Sequence, residues 1–477
     1  MSHLLKKNKK LLKLARLLLF LIFSFIFFKT IFLYTGNKIV YFLFTVISFY
    51  LIIFSFRKKS MFYESYLGVL LFLGFWFKFS VILSTDAAFT EGFLITPDEI
   101  LPRNFDDALI ASMVGFFGII SFGHLREVYF YYPEKINHEI ISEKYIKFRA
   151  LILTSFFLLI ALVCLLNFNF KIYQRGLVGS SNFFLMNIFV KTSLLYFLTL
   201  ISAVIIYLEL ISLKKISLIL IIISIFETFI SSISMLSRGM IFNAMALVYG
   251  IYKFANKIKI KLGINFFIKL TLFVIISFYL TVIIVNHIRT NNHGISAQAK
   301  LESNITQVKE RVTNSLSGVY YLMINRWVGI DAMLIVNKDK KILNLSLLKE
   351  SLKEKFTLED FSFYEQTFKL RPLEKFKVSK TLKGNTLPGF LAYLFFSGSF
   401  IFLFISVMFF CLIAYLFEYS AYKILNKNMI ASSVIGLVVA YRFAHFGYLP
   451  TQSYLLFGSI VGILLMFFLI RQVLKKL

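Results

Sequence analysis

Apolar runs of about 18 to 29 residues recur along the chain, each long enough to cross a hydrocarbon core roughly 30 Å thick at 1.5 Å per helical residue. No water is available there to pair with backbone N–H and C=O groups. Each crossing must therefore close its own hydrogen bonds, which a helix does. With 58% hydrophobic and 16% charged residues, the 477-residue chain carries more apolar surface than a water-facing exterior tolerates. The expected fold class is all-α: a polytopic integral membrane protein of about 12 transmembrane helices.

The runs fall near 15–34, 39–56, 64–83, 108–125, 150–167, 188–211, 216–235, 240–254, 265–287, 389–417, 429–447 and 453–470. If the N-terminus is cytoplasmic, the short inner segments, with Lys253 at a helix end, hold 24 Lys and Arg; the short outer ones hold five: Lys38, Arg103, Lys171, Arg175 and Arg238. Short cytoplasmic loops retain the positive charge, so both termini are expected in the cytoplasm of a bacterial plasma membrane. The net charge of +28 sits mainly at the ends of hydrophobic runs, where it meets anionic lipid headgroups; no nucleic-acid partner is expected. Residues 1–477 read as one integral membrane domain.

One connection departs from the short-loop pattern. Residues 288–388 form a polar extracytoplasmic loop, or cap, between the ninth and tenth runs. Ile305, Val308, Val312 and Leu316 recur at helical spacing, as do Leu345, Leu348, Leu352 and Phe356, so the loop is expected to be helical. Its apolar stretch 318–336 is long enough to dip back into the membrane. The acidic segment 84–107 (Asp86, Glu91, Asp98, Glu99, Asp106, Asp107) reads as solvated. Cys164 and Cys411 lie inside apolar runs and read as small core residues. The basic N-terminus followed by Leu and Phe has no small-residue cleavage site after it and is expected to remain as the first helix.

Several chemistries are missing from the sequence. It has no Gly-rich phosphate loop ending in Lys-Ser/Thr, no His-Glu-x-x-His, no Cys-x-x-Cys and no Gly-x-Ser-x-Gly. Neither a metal nor a cofactor is expected. What remains is a set of arginines at the outer ends: Arg175, Arg238, Arg289, Arg326 and Arg442. A guanidinium is always charged and grips phosphate oxygens as a fork. A lone arginine at a helix end, however, most often snorkels to the headgroups, and that reading stands beside the phosphate one at Arg289 and Arg442. Arg238 follows Ser231, Ser232 and Ser234, a polar helix end unsuited to lipid. Glu227 and Lys191 are expensive inside a membrane and are expected to face the bundle, where they can pair.

At these residues the chain resembles the bacterial O-antigen polymerases (Wzy-type oligosaccharide repeat-unit polymerases) and the related O-antigen ligases. The patterns are Tyr173-Gln174-Arg175-Gly176, Ser237-Arg238-Gly239, the Arg326 segment of the long loop, and Leu387-Pro388-Gly389 with Gly398 beyond it. The helix number and the large loop between the ninth and tenth runs are also similar. The arginine-x10-glycine spacing of some members is not met. The resemblance implies a glycosyltransferase that elongates O-antigen or a related surface polysaccharide at the outer face, using an undecaprenyl-diphosphate-linked oligosaccharide. A chain-length-regulating co-polymerase is the implied protein partner. Arg175, Arg238, Arg289 and Arg326 would stabilise the leaving diphosphate, and His287, Asp331 or His445 would act as general base. An O-antigen ligase, or a flippase for the same lipid-linked sugars, is the alternative.

Overall fold

The computed structural model describes residues 2–87, 89, 100–133, 142–174, 184–213, 218–237, 239, 241–258, 260, 264–293, 324, 327–354, 362–368, 370, 387–446 and 450–476. Among them the regular elements are all helices. Seven are long and apolar enough to cross a membrane by length and composition: Lys38–Ser55, Phe62–Ser84, Pro102–Tyr129, Tyr145–Phe170, Met186–Leu213, Phe400–Ile424 and Gln452–Gln472. Leu17–Leu33, Ile225–Ser234, Leu272–Val285 and Met429–Ala444 are apolar but shorter.

Local chemistry accounts for where several helices begin. Asn37 accepts from Ile39 N at 2.9 Å, and Asn428 from Ile430 N and Ala431 N at 3.0 Å each, taking up backbone donors that a first turn leaves open. Pro102 opens its helix, where a missing N–H costs nothing. The run at 389–417 is not one span as its composition suggested. Gly398, at φ 68°, takes the left-handed conformation that favours glycine and closes the short helix Gly389–Leu394 with its 3-10 turn. Ser399 then caps a separate helix, Phe400–Ile424, by accepting from Phe402 N at 3.3 Å.

Burial sorts the helices into a centre and a rim. Within Phe62–Ser84, 83% of the apolar window is buried, against 22% for Phe400–Ile424 and for Gln452–Gln472, so the first is central and the others peripheral. Met429–Ala444 packs against Phe62–Phe72 and Ile241–Lys257 and is buried along almost its whole length. The rim helices turn large apolar side chains such as Phe25, Leu158, Ile275, Phe409 and Leu469 outward, a surface suited to lipid and not to water.

At one end of the bundle, ionic groups missed in the sequence are buried together. Arg126 grips Glu64 with Nη2 at 2.6 and 2.7 Å and Nε at 3.1 Å, and Arg57 Nη1 reaches the same carboxylate at 3.1 Å. Glu418 accepts from Phe62 N (2.8 Å) and Tyr63 N (2.7 Å), at the positive end of their helix, and from Tyr132 Oη at 2.5 Å. Burial, and then the Glu418 carboxylate, push the Tyr132 phenol well above its ordinary range, so it stays a donor. Nearby Glu209 takes Arg149 Nε at 2.5 Å and Tyr145 Oη at 2.8 Å.

At the opposite end the long segment 288–388 returns to the bundle. Helix Ile330–Lys338 is buried against Pro102–Tyr129, Gly389–Leu394 and the π-helical turn Leu73–Phe77. Two glycines permit the crossing. A Cβ on Gly74 would stand 2.1 Å from Val328 O, and one on Gly329 would stand 2.7 Å from Gly74 O. Here backbone meets backbone, so neither side yields cheaply. Gly74→Ala is expected to destabilise the protein by about 1–3 kcal/mol, read as a lower melting temperature in detergent. Gly462→Ala, with nothing within 4 Å of its Cβ, is the matched control. Equal melting of the two variants would mean that the crossing is loose.

Leu345–Leu352 forms the helix expected from its spacing, with Leu348 buried. Ile305, Val308, Val312, Leu316 and Phe356 lie outside the described residues. Two acids of segment 84–107 are not simply solvated. Asp106 accepts from Tyr34 Oη at 2.7 Å and from Asn37 N at 3.0 Å, and Asp107 pairs with Lys340 at 2.6 Å. They tie helix Pro102–Tyr129 to its neighbours and to the long segment. Glu91, Asp98 and Glu99 lie outside the described residues.

Candidate functional site

Three of the four proposed arginines, Arg175, Arg238 and Arg326, lie outside the described residues. Arg289 falls on helix Ile264–His293, and His287 is exposed on the same helix. Two of the arginine-bearing segments nonetheless leave from one spot. Asn167 Nδ2 donates to Tyr173 O (3.1 Å) and to Ser234 O (2.9 Å), and its Oδ1 accepts from Tyr173 N at 2.7 Å. One amide thus joins the chain just before Arg175 to the chain just before Arg238. Ser231, Ser232, Ser234 and Ser237 are all buried.

Beside this junction two cations meet on one residue. Lys191 Nζ donates to Gln452 Oε1 and lies 5.2 Å from the centre of the Tyr173 ring. Arg442 Nη2 donates to Gln452 O at 3.0 Å. Lys191, Arg442 and Gln452 are half-buried. Among the described residues no carboxylate lies within ion-pair distance of Lys191. The chain neighbours add two polar atoms: Gln174 Oε1 and Ser453 Oγ are among nine buried side-chain atoms without a hydrogen-bond partner among the described residues. Folded proteins seldom leave such atoms unmade, because each costs about 1–3 kcal/mol.

A row of rings continues from the cations. Tyr441, next to Arg442, stacks on His445 with centroids 4.1 Å apart; Phe242 lies 5.8 Å from Tyr441, and Trp327 6.1 Å from Phe242. His445 Nδ1 is 3.0 Å from Tyr441 O. A carbonyl only accepts, so Nδ1 carries the proton and Nε2 is the basic atom of the neutral ring.

Asp331 sits elsewhere. It is buried and pairs at 2.6 Å with Lys78, itself fully buried, and neither carboxylate oxygen takes a further hydrogen bond from the described residues. Held so by Lys78, Asp331 is a structural anchor between helix Ile330–Lys338 and helix Phe62–Ser84. The expected pairing of Lys191 with Glu227 is not what forms. Glu227 accepts from Thr199 Oγ1 (2.9 Å) and Ser231 Oγ (2.8 Å), and Asn243 Nδ2 supports Thr199 at 3.1 Å. Hydroxyls on adjacent helices satisfy that carboxyl locally, and Lys191 is drawn to Gln452 instead.

Sequence reasoning missed Lys78 and Gln452. Lys78 had a signal, a lone charge inside an apolar run; Gln452 had none beyond being polar at a helix start. Among the described residues no three His, Cys, Asp or Glu side chains come together as metal ligands would. No family model, curated protein or solved structure matches the chain.

Proposed function

We propose that this protein polymerises lipid-linked oligosaccharide repeat units, as its resemblance to the O-antigen polymerases implies, with Lys191 and Arg442 as part of the diphosphate site. The observation that carries this reading is the pair of cations sharing Gln452, with Gln174 and Ser453, the chain neighbours of Tyr173 and Gln452, each holding a buried polar atom without a partner among the described residues. Two cations that converge on one neutral residue present positive charge suited to a polyanion. A diphosphate supplies both the charge and the acceptors.

The reaction moves a growing glycan from undecaprenyl diphosphate to a hydroxyl of another lipid-linked repeat unit. The hydroxyl oxygen bonds to the anomeric carbon as the bond from that carbon to the phosphate oxygen breaks. The electron pair leaves with undecaprenyl diphosphate, and the hydroxyl proton goes to a base. Lys191 and Arg442, with Arg175, Arg238, Arg289 and Arg326 from the resemblance, stabilise the departing charge. His445 is the best-suited base of the three candidates. Its Nε2 is the acceptor, and it adjoins the cations through Tyr441, whereas Asp331 is committed to Lys78 and His287 lies on a different helix. In this reading the chain crosses the membrane about twelve times with both termini cytoplasmic, segment 288–388 covers the outer face, and a chain-length co-polymerase acts alongside.

The test is purified protein in lipid with a synthetic undecaprenyl-diphosphate repeat unit and products sized on a gel. Wild type is expected to form a ladder. His445→Gln is expected to insert normally and lose about 100- to 10,000-fold in rate. If wild type makes no polymer but moves the lipid-linked sugar across a vesicle membrane, the protein is a flippase. Transfer only to a lipid A-core acceptor would make it a ligase.

A further inference from the structure

The cation pair and the ring row adjoin, yet they suit different parts of a ligand. Trp327, Phe242, Tyr441 and His445 are each half-buried, while Asn243, Ala440, Phe443 and Ala444 behind them are buried. The rings of Phe242, Trp327 and Tyr441 pack against the core and still keep part of their surface exposed. Aromatic faces carry negative quadrupole density and attract the polarised C–H groups on the flat side of a pyranose ring. A ligand with one charged and one sugar part fits such a surface.

Trp327 reaches this row from the long segment, and one buried ammonium holds it there. Lys78 Nζ donates to Trp327 O at 2.9 Å while pairing with Asp331 at 2.6 Å. A single lysine on helix Phe62–Ser84 therefore ties down both the start of helix Ile330–Lys338 and the backbone of Trp327. The glycine crossing at Gly74 and Gly329 lies between these two points of attachment along the segment.

We propose that Trp327, Phe242, Tyr441 and His445 form a sugar subsite beside the Lys191–Arg442 pair, and that Lys78 and Asp331 are positioning residues that hold Trp327 in it. The proposal rests on the diphosphate reading of that pair and adds the glycan contact.

The experiment compares binding of undecaprenyl diphosphate with and without its oligosaccharide to the protein in lipid. Trp327→Leu is expected to weaken the glycan-bearing lipid roughly ten-fold and to leave the sugar-free lipid unchanged. Trp327→Phe should restore most of the loss. The chain has two tryptophans, and Trp76 is fully buried, so iodide quenching reports Trp327. Asp331→Asn should raise that quenching and give the same selective loss. The double variant Lys78→Met/Asp331→Leu removes the tether without stranding a charge and should behave alike. Equal weakening of both lipids by Trp327→Leu, or of neither, overturns the subsite. Unchanged quenching in both tether variants overturns the positioning role. Wild-type protein that binds neither lipid overturns the diphosphate reading itself, and the subsite with it.

Discussion

Arg442→Ala and Lys191→Met are each expected to insert at wild-type levels and to lower chain elongation about 100- to 1000-fold, the usual effect of removing one donor to a developing negative charge, or roughly 3–4 kcal/mol. Both side chains are half-buried and both meet Gln452, one through its side chain and one through its backbone carbonyl. Gln452 is neutral, so either substitution removes a cation without stranding a carboxylate on this residue. For Lys191→Met, which strands no described carboxylate, the stability change should stay within about 1 kcal/mol. Arg442→Lys separates binding from snorkelling. An ammonium cannot reproduce the planar fork, so at a phosphate contact Lys fails nearly as badly as Ala. At a lipid-facing helix end Lys serves equally well. Elongation rates are read against protein level and melting temperature in the same preparation. Elongation within ten-fold of wild type in both Arg442→Ala and Lys191→Met would remove the cation pair from the mechanism.

The second large effect is expected in stability at the other end of the bundle. Glu64→Ala should lower stability by about 3–5 kcal/mol, seen as lost monodisperse protein after extraction and a much lower melting temperature. Glu64 and Arg126 are 2% and 1% exposed in their side chains, so removal of the carboxylate leaves an uncompensated guanidinium in a dry interior. Arg57, which also reaches Glu64 at 3.1 Å, loses that contact but keeps its closer pairing with Glu127. The double variant Glu64→Met/Arg126→Met should recover much of the loss, because no charge is then stranded and the packing volume is kept. A double variant no more stable than Glu64→Ala would mean that the cost lies in packing and not in charge. The single and double variants form a cycle, which is needed because the two residues share one hydrogen-bond network.

Which parts of this were legible in the sequence follows from what range each interaction acts over. Apolar run length is a local property, and a bilayer-length apolar run has few alternatives to a helix, so the all-helical class could be read directly. The burial of Ser231, Ser232 and Ser234 followed the same logic, since a polar helix end is costly against lipid. The break at Gly398 was harder: the residues on both sides are equally apolar, and only the left-handed φ of one glycine divides them. Partner choice was not legible at all. Lys191 and Glu227 were each recognisable as costly, but Glu227 found hydroxyls one helical turn away and on the neighbouring helix, and Lys191 found an amide 261 residues distant in sequence.

The sequence by itself determined that helices form and which side chains are too polar to face lipid, because hydropathy acts within a few residues. The tertiary structure decided which of those costly groups meet. It drew Lys191 and Arg442 onto Gln452, Asp331 onto Lys78, and Glu418 onto the backbone of Phe62 and Tyr63. Ion pairs and hydrogen bonds act over about 3 Å, so their partners depend on how helices hundreds of residues apart come to lie side by side, and no local pattern encodes that.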